Sequence, residues 1–510
     1  MRGMKKQLVL NALFGGGARV ISLLVAVPMT AYLVARLGME RFGVWALVSS
    51  IGGALGILDF SLRTSFVKFL AEDFARGNSR GVREVLSIGF WGYALFSILC
   101  GVGLWFASPP LLAALRIPEA LRPEAHVALM LCGGRLLAGL VLSVFPAVCD
   151  ARQRMDLTNS LGLAVLVFST ALTIGLVEAG AGIPGVAAAQ MTGVIVFHLL
   201  CMPFARRLGG TLDIRPRHIT RRGVRRLLGY SAHLHVSSVC GLINTHLDKF
   251  LLSRWAGLTV VGSYELSLRI IANLGTIQPY IARGLLPASS HLSAEGDWDR
   301  LRRVYHRASA LFFAGGIAPF VFVAATSPDL ITLWIGRPDI LAGRFMVILS
   351  AGYLVNSLSH TMAFMCQGAG RPDIQMRQSA VQLLANLVLS VLLLIGIGPL
   401  GAPLGTSLSM ILGAGLFARD FHAHLGISTP AFLRETALRP FGAAMLALLP
   451  VWVMLTVMPS AADRGSAAGR IAAAGALYAA VWLPFAFRWN AIPAMLQRWR
   501  TTPGAGGTTP

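Results

Sequence analysis

Charge is scarce in this 510-residue chain: Asp, Glu, Lys and Arg make up 13% of it, and hydrophobic residues 55%. Soluble domains carry about 25% charged residues, so a water-soluble globular fold is excluded. Lysine is nearly absent. Of 44 basic residues 40 are arginine, set against 22 carboxylates for a formal net charge of +22. Such a charge invites a nucleic-acid reading, but the arginines fall between apolar blocks, and no polar segment is long enough to fold into a nucleic-acid-binding domain. No nucleic acid is therefore expected as a partner. The six cysteines lie in or at the ends of apolar blocks without a CxxC pair, which argues for small buried hydrophobes rather than disulfides or metal ligands. A Walker loop, a catalytic triad and a metal-ligand cluster are missing as well. An ATPase or membrane enzyme is not expected, nor any cofactor.

What the chain does have is apolar length. Its mean hydropathy is +0.67, concentrated in blocks of roughly 20 residues, the length that crosses a hydrocarbon core of about 30 Å as a helix. The blocks lack the alternation of barrel strands, and a lone segment in lipid satisfies its backbone only as a helix. The expected fold is an all-α integral membrane protein of about 14 transmembrane helices. They are predicted at 8–35, 42–62, 85–107, 126–148, 157–178, 183–204, 230–252, 260–282, 309–326, 345–366, 381–398, 401–418, 440–458 and 471–487. Residues 398–401 make a tight Gly-Pro-Leu-Gly turn, and the first block reads as an uncleaved helix. Alternate connections carry 31 Lys and Arg residues on one side and 10 on the other. The positive-inside rule then places both termini in the cytoplasm.

The chain also repeats itself. Gly43, Leu47, Ile51, Leu55 and Gly56 match Gly262, Leu266, Ile270, Leu274 and Gly275 at a constant offset of 219, and Ala75, Gly77, Arg83 and Val85 match Ala294, Gly296, Arg302 and Val304. Six helices separate the copies, so both halves share one orientation, as in parallel-repeat transporters. The predicted organisation is an N-lobe at 1–204, a basic cytoplasmic linker at 205–229, a C-lobe at 230–420, a helix pair within 421–490 and a cytoplasmic tail at 491–510. The two parallel six-helix lobes would surround a central cavity.

Three arginines, Arg19, Arg135 and Arg269, sit inside apolar blocks, where an Arg costs about 2.5–3.5 kcal/mol on insertion scales. Such residues face a bundle interior or a watery cavity, unless they snorkel or pair. Glu265 shares a helix face with Arg269, and Asp59 with Arg63, so each pair can neutralise itself. These six are the candidate substrate-binding residues. Asp248 and Lys249 read more simply as a solvated helix end, and His233 and His235, two apart, cannot easily share a metal.

The run Tyr32-Leu-Val-Ala-Arg-Leu-Gly-Met-Glu-Arg-Phe-Gly-Val-Trp-Ala-Leu, followed by Leu58-Asp59-Phe60 and Lys68-Phe69-Leu70-Ala71-Glu72, resembles the Wzx-type polysaccharide flippases of the multidrug/oligosaccharidyl-lipid/polysaccharide (MOP) exporter superfamily. Asp248-Lys249-Phe250-Leu251-Leu252, Val261-Gly262-Ser263-Tyr264 and Leu286-Pro287 look like the same family's second-lobe pattern. The resemblance implies a flippase that carries an undecaprenyl-diphosphate-linked oligosaccharide between leaflets of the bacterial inner membrane by alternating access. Its partners would be that polyprenyl-diphosphate-linked oligosaccharide, membrane lipids, and a polysaccharide polymerase with chain-length proteins. A lipid II flippase, a cation-coupled multidrug exporter and a non-transporting scaffold are the alternatives.

Overall fold

The structure, a computed structural model, describes residues 2–54, 66, 67, 69–74, 76–152, 154–210, 212–224, 232–276, 278, 282 and 285–488. Among them there is no strand, and nine helical stretches are long and apolar enough to cross a membrane. The chain divides into two compact units, Met1–Gly262 and Ser263–Pro510.

The first unit opens with α1 (Arg2–Ala54), where a loop at 36–41 was expected. The helix instead runs on both sides of Gly38, the one non-helical residue inside it, at φ 79° and ψ 166°. Only glycine reaches that conformation without strain, so one residue replaces a connection. Then come α2 (Ser79–Ala114), α3 (Arg122–Leu142), α4 (Val144–Ala151), α5 (Met155–Glu178), α6 (Gly182–Gly209) and α7 (Ala232–Trp255). Helix α8 (Leu258–Gly275) begins in this unit and continues into the second.

The second unit holds α9 (Leu285–Glu295), α10 (Trp298–Ala325), α11 (Ser327–Ile335), α12 (Ile340–Ser357), α13 (Ser359–Gly368), α14 (Pro372–Ile397) and α15 (Gly401–Leu425). It ends with α16 (Thr429–Thr436), α17 (Leu438–Val457) and α18 (Arg464–Arg488). The expected turn at 398–401 is present, as a short 3-10 turn over Gly398–Leu400. Helices α2 and α10 overrun their predicted starts because their first turns lie outside the apolar blocks. Each is held by a side-chain cap: Asn78 accepts from the Gly81 N–H at 3.1 Å, and Asp297 from the Arg300 N–H at 3.0 Å.

The internal repeat is visible in the backbone. The two caps, Asn78 and Asp297, are 219 residues apart, and so are the positive-φ glycines Gly77 and Gly296, and Gly38 and Gly257. A second motif recurs at an offset of 217: the Arg154 N–H donates to the Cys149 carbonyl at 2.9 Å, and the Arg371 N–H to the Cys366 carbonyl at 3.0 Å. In each copy the arginine then pairs with a carboxylate two residues on, Asp156 or Asp373, at 3.1 and 3.0 Å. Two predicted helices are also broken alike. In each, a serine hydroxyl bonds back along its helix, Ser143 to the Leu140 carbonyl and Ser357 to that of Leu354.

Each unit packs its own core. Leu70, Leu86, Val148, Cys201 and Ala205 are buried together in the first, and Leu301, Tyr305, Met365, Cys366 and Phe421 in the second. Leu86 and Tyr305 are equivalent by the repeat. Away from the cores, α2 exposes Leu95, Ile98, Leu99, Val102, Trp105 and Phe106. An apolar face of that extent belongs against lipid.

Candidate functional site

In the first unit the site begins with Arg135. It lies 13 residues into α3, about 20 Å along the axis from the helix start at 1.5 Å per residue, and the residue is half-buried. Its neighbours on α3 are Gly133 and Gly134, which let Leu104 of α2 and Met191 of α6 approach closely. The Arg135 Nε is buried without a hydrogen-bond partner, and no carboxylate pairs with the guanidinium among the described residues. A half-buried cation with its Nε left so poised is suited to an anionic group brought by something else.

The same unit buries two charges expected to be solvated. Asp248 is 0% exposed and Lys249 5%, because this turn of α7 faces α1 rather than water. Lys249 Nζ donates to Ser50 Oγ at 2.9 Å, and the Ser50 hydroxyl donates to the Ala46 carbonyl at 2.6 Å. Asn244, also buried, lies one turn from Asp248 on the same face. Asp248 and Lys249 were legible only in the Asp-Lys-Phe-Leu-Leu run, since their position near a predicted helix end disguised them.

In the second unit Glu265 and Arg269 form the ion pair that their spacing implies, with Nε to Oε1 at 2.7 Å. Glu265 is buried, whereas the Arg269 side chain keeps 30% exposure. Asn273 donates to the Arg269 carbonyl at 2.8 Å, which extends one polar stripe along α8. Arg19 lies within α1, but its side chain falls outside the described residues, and so do Asp59 and Arg63.

A further buried arginine escaped the sequence because it precedes the predicted start of its helix by one residue. Arg470 donates through Nε to both oxygens of Asp329 at 3.1 Å, and through Nη1 to the Met458 carbonyl at 2.9 Å. It locks α11 and the end of α17 onto α18. With its donors engaged by protein, it is a clamp and not a substrate contact.

Where described, the expected linker is part helix and part irregular chain with one 3-10 turn at Pro216–His218. Helix α6 runs on to Gly209, and residues 212–224 fold back on the start of α2. A hydrogen bond from His218 holds the Asp213 carboxyl below the usual carboxylate range, with Arg215 and Arg217 reinforcing it. In the second unit a cleft of about 350 Å³ opens between Arg371, Arg377, Asp420 and His424. Its arginines are paired with Asp373 and Asp420, so it presents little free charge.

Known proteins resemble this chain in sequence and in fold. The family model described as polysaccharide biosynthesis protein matches residues 8–293, and the MatE model matches residues 236–392. A protein of Shigella flexneri named as an O-antigen transporter is 21% identical over 416 residues, covering 80% of this chain and 96% of its own. A protein of Haloferax volcanii named as flippase AglR is 21% identical over 407 residues, covering 79% and 81%. Among solved structures, the lipid II flippase MurJ in an inward closed conformation superposes with a TM-score of 0.70 at 14% identity, covering 94% of this chain and 99% of that one. At that identity the likeness concerns the fold alone.

Proposed function

The chain belongs to the polysaccharide biosynthesis protein family, and on that premise we propose that it flips undecaprenyl-diphosphate-linked oligosaccharide repeat units across the bacterial inner membrane. The product is exopolysaccharide or O-antigen, and the transport cycle is alternating access. It is a multi-pass membrane transporter, not an enzyme. The observation that carries the reading is Arg135, a mid-span guanidinium whose Nε is buried with no partner among the described residues. A diphosphate supplies the acceptors that this group lacks, and the planar fork of arginine suits phosphate oxygens.

In this reading Arg135 is the diphosphate contact of the first unit. Arg269, tempered by Glu265, is that of the second, and Arg19, Asp59 and Arg63 line the path. The lobes that exchange access are 1–204 and 230–420, joined by 205–229, while the pair within 421–490 stands apart and both termini, with the tail at 491–510, are cytoplasmic. The lipid-linked oligosaccharide and membrane lipids are the partners, and a polysaccharide polymerase with chain-length proteins receives the product. Deleting the gene tests this: polymer should vanish and lipid-linked repeat units accumulate on the cytoplasmic leaflet. Normal polymer in the deletion strain rules the reading out.

One observation favours a second reading. Asp248 is a fully buried carboxylate on a helix within the MatE match, the kind of group a cation-coupled multidrug exporter needs. That reading predicts changed drug susceptibility in the deletion strain with polymer intact.

A further inference from the structure

We infer that residues 212–224, with the adjoining ends of α6 and α2, form a docked basic platform that binds anionic phospholipid headgroups of the leaflet it faces. The segment is built onto the first unit. The Arg215 N–H donates to Ser87 Oγ at 3.2 Å, the Thr220 hydroxyl donates to Glu84, and the Gly223 N–H donates to Thr220 Oγ1 at 3.0 Å. Any side chain at Gly223 would collide with Glu84, and Gly223 itself is buried. Ordering a loop this way costs backbone entropy, about 1–2 kcal/mol per residue, which these contacts offset, and the outward face is held in place with it.

That face is cationic. Asp213 is paired with Arg215 at 2.8 Å and His218 at 3.0 Å, while Glu84 and the buried Asp73 accept hydrogen bonds from Thr220 and Asn78 and are outnumbered by the arginines around them. Arg80, Arg206, Arg207, Arg221 and Arg222 are exposed, with no ion-pair partner among the described residues, and Arg217 reaches Asp213 only at 4.0 Å. Between Arg217 and Arg221 the apolar Ile219 is 38% exposed. An exposed apolar side chain flanked by arginines suits the headgroup boundary.

Depth selects lipid over a soluble anion. The 28 residues of α6 span about 42 Å at 1.5 Å per residue, against a hydrocarbon core of about 30 Å. Arg206 and Arg207 on its last turns therefore stand at headgroup level, and the platform begins three residues beyond Gly209. A juxtamembrane basic residue strengthens binding to an anionic surface by about fivefold.

The test reconstitutes the full chain in phosphatidylcholine nanodiscs with and without phosphatidylglycerol, then counts retained lipid by native mass spectrometry. Wild type should retain phosphatidylglycerol over phosphatidylcholine. The triple variant Arg217→Gln/Arg221→Gln/Arg222→Gln should bind it about a hundredfold more weakly, and Arg221→Gln alone about fivefold. Equal melting of variant and wild type in phosphatidylcholine discs checks that the variant folds, and the single variant carries the test if the triple one does not. Equal retention of the two lipids by wild type overturns the proposal, as does unchanged retention by the variants. Soluble inorganic pyrophosphate binding as tightly as phosphatidylglycerol also overturns it, because the platform would then read a diphosphate and not a lipid surface. Polymer export is not a readout, so the outcome is independent of the transport reading.

Discussion

Gly43 of α1 lies against Leu258, the first residue of α8, so closely that a Cβ on the glycine would stand 2.0 Å from the leucine carbonyl oxygen. The repeat supplies a reciprocal contact within the same unit. A Cβ on Gly262 would stand 2.9 Å from the Met39 carbonyl oxygen, and both Gly43 with Gly262 and Met39 with Leu258 are 219 apart. Two contacts exchanged by one sequence offset are what a local two-fold crossing of helices produces.

That crossing tolerates no added methyl group. Gly43→Ala should destabilise the protein by about 1–3 kcal/mol, the usual cost of overpacking. Gly262→Ala should cost less, since part of its clash is with the flexible Met39 side chain. Thermal unfolding in detergent reads the order. A Gly43→Ala variant that melts with wild type would show that the helices are not held at this distance.

Arg135→Gln keeps length and some hydrogen bonding but removes the charge. A hydrogen bond to a charged group contributes about 1.5–3 kcal/mol, so flipping of a lipid-diphosphate substrate in proteoliposomes should slow by about tenfold to a hundredfold. Arg135→Lys should recover part of the rate, because the charge returns without the fork. Arg135→Glu should insert normally and lose export altogether. Full export by that variant would remove Arg135 from the mechanism.

Arg470 and Asp329 predict the opposite pattern, a loss of stability without a specific loss of transport. The pair is buried, with the Arg470 Nε–H shared between both Asp329 oxygens, so removing one partner strands a charge and should cost about 3–5 kcal/mol. Arg470→Met alone or Asp329→Leu alone should lower the yield of folded protein sharply. The double variant, apolar on both sides, should recover much of it. Transport per folded molecule should be unchanged in all three, and a double variant no better than the singles would contradict the clamp.

Much of this architecture was legible in the sequence, and the exceptions have physical causes. Apolar runs report the hydrocarbon-facing part of a helix, so the polar first turns of α2 and α10 went unseen until their caps were in view. The breaks at Ser143 and Leu358 leave the apolar run intact and hence no mark in hydropathy. The short helices α11 and α16 fall in the predicted connections. The constant offset of 219 stops being constant before Cys149 and Cys366, which hid the second repeated motif. For the site, Glu265 with Arg269 followed from spacing alone, because an i,i+4 pair on a helix needs no tertiary knowledge. Lys249 depended on which way α7 turns, and that is set by its packing on α1. Arg470 was lost at a helix boundary, the least certain part of any reading from pattern.

The docked linker makes the last prediction, one of pH. Asp213 has its carboxyl pKa lowered, first by the hydrogen bond from His218 and then by Arg215 and Arg217. A lowered folded-state value means that the carboxylate form favours the docked arrangement. That contribution is fully present above the ordinary aspartate value of about 3.9, and it fades as pH falls through the depressed value below it. At neutral pH Asp213→Asn should therefore raise hydrogen exchange across 212–224, most of all at the Arg215 amide, whose N–H bonds Ser87. As the solution is acidified below about pH 4, wild type should approach the variant once intrinsic exchange rates are corrected for. The same linker exchange in wild type and variant at neutral pH would mean that Ser87 and Glu84 hold the segment without help from Asp213.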